Sequence, residues 1–107
     1  MFQKKNTYPF RPLLEGVSMR PLSFGEKTIL CEFKLDKGHK IPAHSHPYEQ
    51  TGYLISGMLN FRIAEEWFSA NAGDSWCIAE NVEHEVKILE DAVVFELFSP
   101  VRPDYLP

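Results

Sequence analysis

Four side chains that suit a transition metal fall in two short segments of this sequence. His44 and His46 stand two positions apart in Pro42-Ala43-His44-Ser45-His46-Pro47-Tyr48-Glu49-Gln50. In an extended strand such residues project from one face with Cα atoms ~6.6 Å apart, so both imidazoles can reach one ion ~2.1 Å from each nitrogen. If the extended register persists, Gln50 joins that face and Glu49 points the other way. His84 lies in a separate alternating segment, His84, Val86 and Ile88, and can close the site from a neighbouring strand. Three imidazoles and one amide oxygen leave one or two positions open on a divalent transition metal (Zn, Ni, Mn or Fe), the arrangement a catalytic rather than a structural site requires.

Such donors converge only if strands carry them, and the chain reads as strands. Ile29, Cys31, Phe33 and Leu35 alternate with Leu30, Glu32 and Lys34 and end at Asp36-Lys37-Gly38; Leu59, Phe61 and Ile63 alternate with Asn60 and Arg62 after Gly57; Val93, Phe95 and Leu97 alternate with Val94, Glu96 and Phe98 before Ser99-Pro100. Each is a strand with one core face. Trp67 and Phe68 make Ala64 to Ala70 a strand rather than a helix. Turn signals every eight to twelve residues or so predict an all-β sandwich or barrel. Prolines at 9 and 12 and at 100, 103 and 107 mark irregular arms over the barrel or towards a second subunit.

One domain, residues 1–107 with the barrel at about 25–100, accommodates this length. The composition is that of a globular protein, 44% hydrophobic and 24% charged. A net charge of -4 with no basic run argues against nucleic acid. The longest apolar runs, Trp76 to Ala79 and Ala92 to Phe95, are far short of the ~20 residues that cross a bilayer, so no membrane partner is expected. Lys4 and Lys5 are followed by Asn6-Thr7-Tyr8-Pro9 where a secretory signal needs apolar residues, which predicts a cytoplasmic protein. Cys31 and Cys77 are expected to be buried free thiols. Large aromatics and sheet edges predict a homodimer.

The spacing Gly38, His44, His46, Gln50, Gly57, followed by Gly73 and His84, resembles the two motifs of the cupin family, with Gln50 where most members carry Glu. In the second motif Ala79, Asn81 and Ile88 replace the usual Pro, Gly and Asn; Asn81 can still adopt the left-handed turn. The resemblance covers about residues 25–100 and implies a single-domain jelly-roll β-barrel. The ending Glu96-Leu97-Phe98-Ser99-Pro100-Val101-Arg102 is similar to the small cupins of pectin degradation, which linearise 4,5-unsaturated uronates to keto-uronates and show Asp-x-Phe-Ser-Pro-x-Arg there. Carried over, Glu96, Phe98 and Arg102 take the catalytic places, Glu96 with one methylene more than the Asp of the pattern.

The resemblance therefore implies a metal-dependent enzyme acting on a small acidic sugar. Neutral Gln50 leaves the site one unit more positive than a Glu would, which favours an anionic substrate, with Arg102 offering a planar fork to a second oxygen. A non-catalytic binding module and an iron dioxygenase are the competing classes. Tyr48 shares the parity of the histidines and is the expected cavity tyrosine, Tyr53 is not; Trp67, Phe68 and Trp76 read as core or interface, and His39 as exposed and unbound.

Overall fold

The computed structural model describes all 107 residues. Eight strands run β1 (Arg11–Leu14), β2 (Val17–Phe24), β3 (Ile29–Leu35), β4 (Lys40–His44), β5 (Glu49–Ile63), β6 (Glu66–Asn71), β7 (Ser75–Ile78) and β8 (His84–Ser99), and a single 3-10 turn (Pro103–Tyr105) follows. All pairings are antiparallel. The order is β1-β2-β3-β8-β5-β6, with β4 added to β8 and β7 to β5. The fold is all-β, as the alternation predicts. No helix is long and apolar enough to cross a membrane.

Two long strands organise the barrel. The second half of β8 pairs with β3 and the first half with β4, while β5 pairs with β7 early and with β6 late. Both strands thus belong to two facing layers. The register of β5 against β8 shifts between Leu54 and Leu59, and Gly57 sits in that stretch at φ 98°. A Cβ there would lie 2.3 Å from the Asp91 carbonyl, so only glycine lets the two backbones approach as the strand bends. Gly57 is therefore a bulge inside one strand, not the turn before a separate one.

Sixteen apolar side chains, among them Met19, Ile29, Leu54, Leu59, Ile78 and Phe98, form one core between the layers. Each large one contributes about 1.5–3 kcal/mol on burial. On β3 the inward residues are Ile29, Cys31, Phe33 and Leu35, as expected. Over the second half of β8 the buried set is Ala92, Val94, Glu96 and Phe98, so the wholly apolar Val93, Phe95 and Leu97 face is the outer one. Both parities of this strand are apolar enough to be buried, and hydrophobicity alone could not choose between them.

Other expectations are corrected or narrowed to one of their alternatives. Part of the N-terminal arm, Arg11–Leu14, is a strand, and the sheet starts there rather than near residue 25. The C-terminal arm folds over its own barrel: Tyr105 packs edge-on against Phe33 and Phe98, and Arg11 donates to the carbonyls of Asp104 and Leu106 at 2.6 and 3.2 Å. Cys31 is buried, which pushes its thiol up to about 12, but Cys77 is exposed because it takes the outward parity of β7. Trp67 and Phe68 are exposed on β6, which removes them from the core and leaves only the interface half of that expectation. His39 is half-buried, its ring lying against Gly16 and outside the cluster of the other three histidines.

Candidate metal centre and cavity

His44 ends β4 and His84 opens β8, and the two are register partners. Their rings are therefore adjacent, with centroids 4.2 Å apart. His46 reaches them by a different route from the one expected. The extended strand stops at His44, and residues 45–48 form a loop before β5. That loop is pinned by the backbone N–H of Asn81, which donates to the His46 carbonyl at 2.8 Å. Asn81 itself has φ 65°, the left-handed conformation anticipated for it. The ring centroids of His46 and His84 are 5.0 Å apart.

One ligating atom from each of His44, His46 and His84 lies within 4.8 Å of the others. This cluster can hold a metal ion. His44 Nδ1 and His84 Nδ1 each lie 2.9 Å from the carbonyl two residues earlier, Pro42 and Val82. Those contacts put the ring proton on Nδ1 and leave Nε2 as a lone-pair donor. His84 Nε2 is buried with no hydrogen-bond partner, which an imidazole avoids unless something else occupies that lone pair. Gln50 Oε1 lies 2.9 Å from His46 Nε2. Two donors bound at right angles to one ion sit ~3.0 Å apart, so this pair also fits a common ion. Burial lowers His84 to about 4, helped by His44, His46 and Arg102. His46 is lowered too, by burial first and Arg102 second. Neutral imidazoles are the form that binds metal.

The cluster opens into a cavity of about 430 Å³ with mostly apolar walls, Phe33, Phe61, Val94 and Phe98 among them. That volume suits one small ligand. Glu96 lies in it, 6% exposed. Burial pushes its carboxyl up to about 8, against the opposing pull of Gln50 and Trp76. Phe98 sets its ring edge-on to His46, centroids 5.9 Å apart. Arg102 forms part of the wall, its guanidinium carbon 3.8 Å from the Tyr105 ring centre, 5.0 Å from Phe98 and 5.2 Å from Tyr48. Tyr48, the expected cavity tyrosine, is half-buried beside His46 but does not line the cavity, where Tyr105 stands instead; Tyr53 is exposed on the outside.

The structure thus brings His44, His46, Gln50, His84, Glu96, Phe98 and Arg102 to one cavity. Three further residues join them unannounced. Trp76, expected in a core or interface, donates Nε1–H to Glu96 Oε1 at 3.0 Å. Asp104 and Tyr105 come from the C-terminal arm. The inward parity of Trp76 with buried Ile78 on β7 was the available signal; nothing local marked the arm residues.

The model of the Cupin domain family matches residues 31–99, from β3 to the end of β8. The chain belongs to the cupin family. Its 100-residue match to the pectin degradation protein KdgF of Dickeya dadantii (strain 3937) is 26% identical and covers 92% of this chain and 91% of that protein. The structure of KdgF from Halomonas sp. superposes with a TM-score of 0.92 at 24% identity, over 99% of this chain and 98% of that one. An RmlC-like cupin from Shewanella frigidimarina gives 0.89 at 22% identity, over 99% and 100%. As in the expected cupin motifs, Gly38, His44, His46, Gln50 and Gly57 fall in the first and Gly73 and His84 in the second. The histidine triad of this cupin lies where the two motifs meet.

Proposed function

We propose that this cupin is a metal-dependent enzyme that opens a small unsaturated uronate to its keto-uronate tautomer. The observation that carries the reading is Glu96 Oε2, buried without a partner in the cavity that also holds three histidines and Arg102. Such a carboxyl costs stability, and a fold retains one where chemistry uses it. Similarity to a pectin degradation protein over most of both chains supports the substrate class.

His44, His46 and His84, with the amide oxygen of Gln50, would hold the ion; a divalent transition metal bound there supplies a Lewis acid with positions left open. Because all four donors are neutral, the site attracts an anion. Arg102 offers the substrate carboxylate guanidinium donors. In the opening of a 4,5-unsaturated uronate, the anomeric hydroxyl loses a proton as the bond from C1 to the ring oxygen breaks. The enolate released at C5 then takes that proton at C4, and the sum is an isomerisation. One group that gives and takes a single proton suffices, and Glu96, its carboxyl pushed up to about 8 by burial, is suited to it. Phe98 packs against His46 and keeps the cavity dry. The reading takes the protein as a cytoplasmic homodimer.

The test is to load untagged protein with metal and follow loss of the ultraviolet absorption of the conjugated double bond in an unsaturated galacturonate. The parent should consume it, and Glu96→Gln should be slower by about 10² to 10⁴ with metal retained. No consumption by the metal-loaded parent would give precedence to a ligand-binding module.

A further inference from the structure

Glu96, Gly52 and Trp76 occupy one row of the sheet: Gly52 on β5 pairs with Glu96 on β8 on one side and with Trp76 on β7 on the other. Neighbouring strands are ~4.8 Å apart, so the backbones of the two outer members are separated by ~9.6 Å. A side chain at position 52 would normally fill that gap. A Cβ on Gly52 would lie 2.2 Å from Trp76 Nε1 and 2.4 Å from Glu96 Oε2, while its φ is outside the left-handed region. Glycine is needed here for room, not for backbone freedom. Across the cleared space Trp76 Nε1–H donates to Oε1 at 3.0 Å, and Oε2 is left without a partner.

The glutamate is long enough for this contact, and the aspartate of the pectin-degradation pattern is not. Removing one C–C bond of about 1.5 Å withdraws the carboxyl towards β8 and takes the contact past hydrogen-bonding range. We infer that Trp76 is a positioning residue for Glu96: it binds Oε1 across Gly52 and so fixes the orientation of the carboxyl that transfers the proton. The inference rests on the proposed role of Glu96 in proton transfer, and it explains why a longer acid serves where the resemblance implies a shorter one.

The test uses full-length protein with 15N-labelled tryptophan, whose two indole N–H signals belong to Trp67 and Trp76 and are assigned with Trp67→Phe. Glu96→Asp should move the Trp76 signal towards that of a free indole and speed its hydrogen exchange, while exposed Trp67 stays unchanged. On an unsaturated uronate, Trp76→Phe should lower kcat by up to about 100-fold with KM and metal content little changed. A Trp76 signal indifferent to Glu96→Asp, or a Trp76→Phe protein as fast as the parent, overturns the inference. If the Trp76 signal responds but the parent consumes no uronate, the enzymatic reading falls and the Trp76–Glu96 unit stands.

Discussion

Asp104 grips Arg102 at the cavity wall: its Oδ2 lies 3.0 Å from Nη2 and its Oδ1 3.4 Å from Nε. The acid is 58% exposed and the guanidinium 14%, so the pair belongs to the weak, partly solvated kind. An arginine carries five donors, and Asp104 takes one edge of the fork. The stack on Tyr105 keeps the plane fixed while the Nη1 edge stays free for a second carboxylate.

Asp104→Asn removes an anion beside the place proposed for an anionic substrate. KM for an unsaturated uronate should fall by about 2- to 5-fold, the equivalent of an exposed pair, with kcat little changed. Arg102→Lys loses the planar fork and the stacking, and should raise KM by about tenfold or more. Steady-state kinetics on both variants checks this; an unaltered KM in each would remove Arg102 from substrate binding.

Removing one histidine of the triad should abolish stoichiometric metal. His46→Ala and His84→Ala are expected to lose it, while His39→Ala, altered at a ring packed on Gly16, should bind as the parent does. Elemental analysis of untagged protein measures the content. Metal at a hundredfold excess over its Kd adds about 2.7 kcal/mol to stability, so a chelator should lower the melting temperature of the parent and of His39→Ala only.

The outer face of β8 and β5 carries the proposed dimer contact. Phe95 pairs with Tyr53 and Leu97 with Thr51, and Tyr53, Ile55 and Leu97 are 46%, 40% and 37% exposed. Sedimentation should show a dimer at micromolar concentration, and Leu97→Glu should dissociate it, since a charge buried in an apolar contact costs more than such a contact returns. A monomeric parent would leave this face without its partner.

Local alternation made β3 legible, because its inward residues share one parity, and the β-favouring aromatics Trp67 and Phe68 did the same for the strand after Ala64. It failed on β8, where both parities are apolar and the polar Glu96 lies inside. The histidines converge as expected, yet through a loop held by Asn81, a contact between residues distant in sequence rather than a property of the His44–Gln50 segment. Trp76 on Glu96 depends on the register of three strands, and its local traces are the inward parity of Trp76 and a glycine in mid-strand at position 52. The placement of Asp104 and Tyr105 follows from where Arg11 ties the C-terminal arm.

The metal-free protein should show opposing pH effects from two buried groups. His84 has a folded-state value of about 4 against 6.5 when free, so its contribution to stability is present above pH 6.5 and is lost as pH falls towards 4. Glu96 has about 8 against 4.5, so its contribution is complete below pH 4.5 and is lost as pH rises through 8. Each slope is about 1.4 kcal/mol per pH unit at most, and between pH 4.5 and 6.5 the two oppose each other, with His46, lowered in the same direction, adding to the side of His84. Above pH 6.5 only Glu96 still titrates, and the chelated parent should lose on the order of 2 kcal/mol between pH 6.5 and 8. Urea unfolding at these two values should show that loss in the parent and not in Glu96→Gln, which carries no titrating carboxyl. Equal pH dependence in the two proteins would mean that Glu96 is ionised at neutral pH and therefore solvated, contrary to its place against the apolar cavity wall.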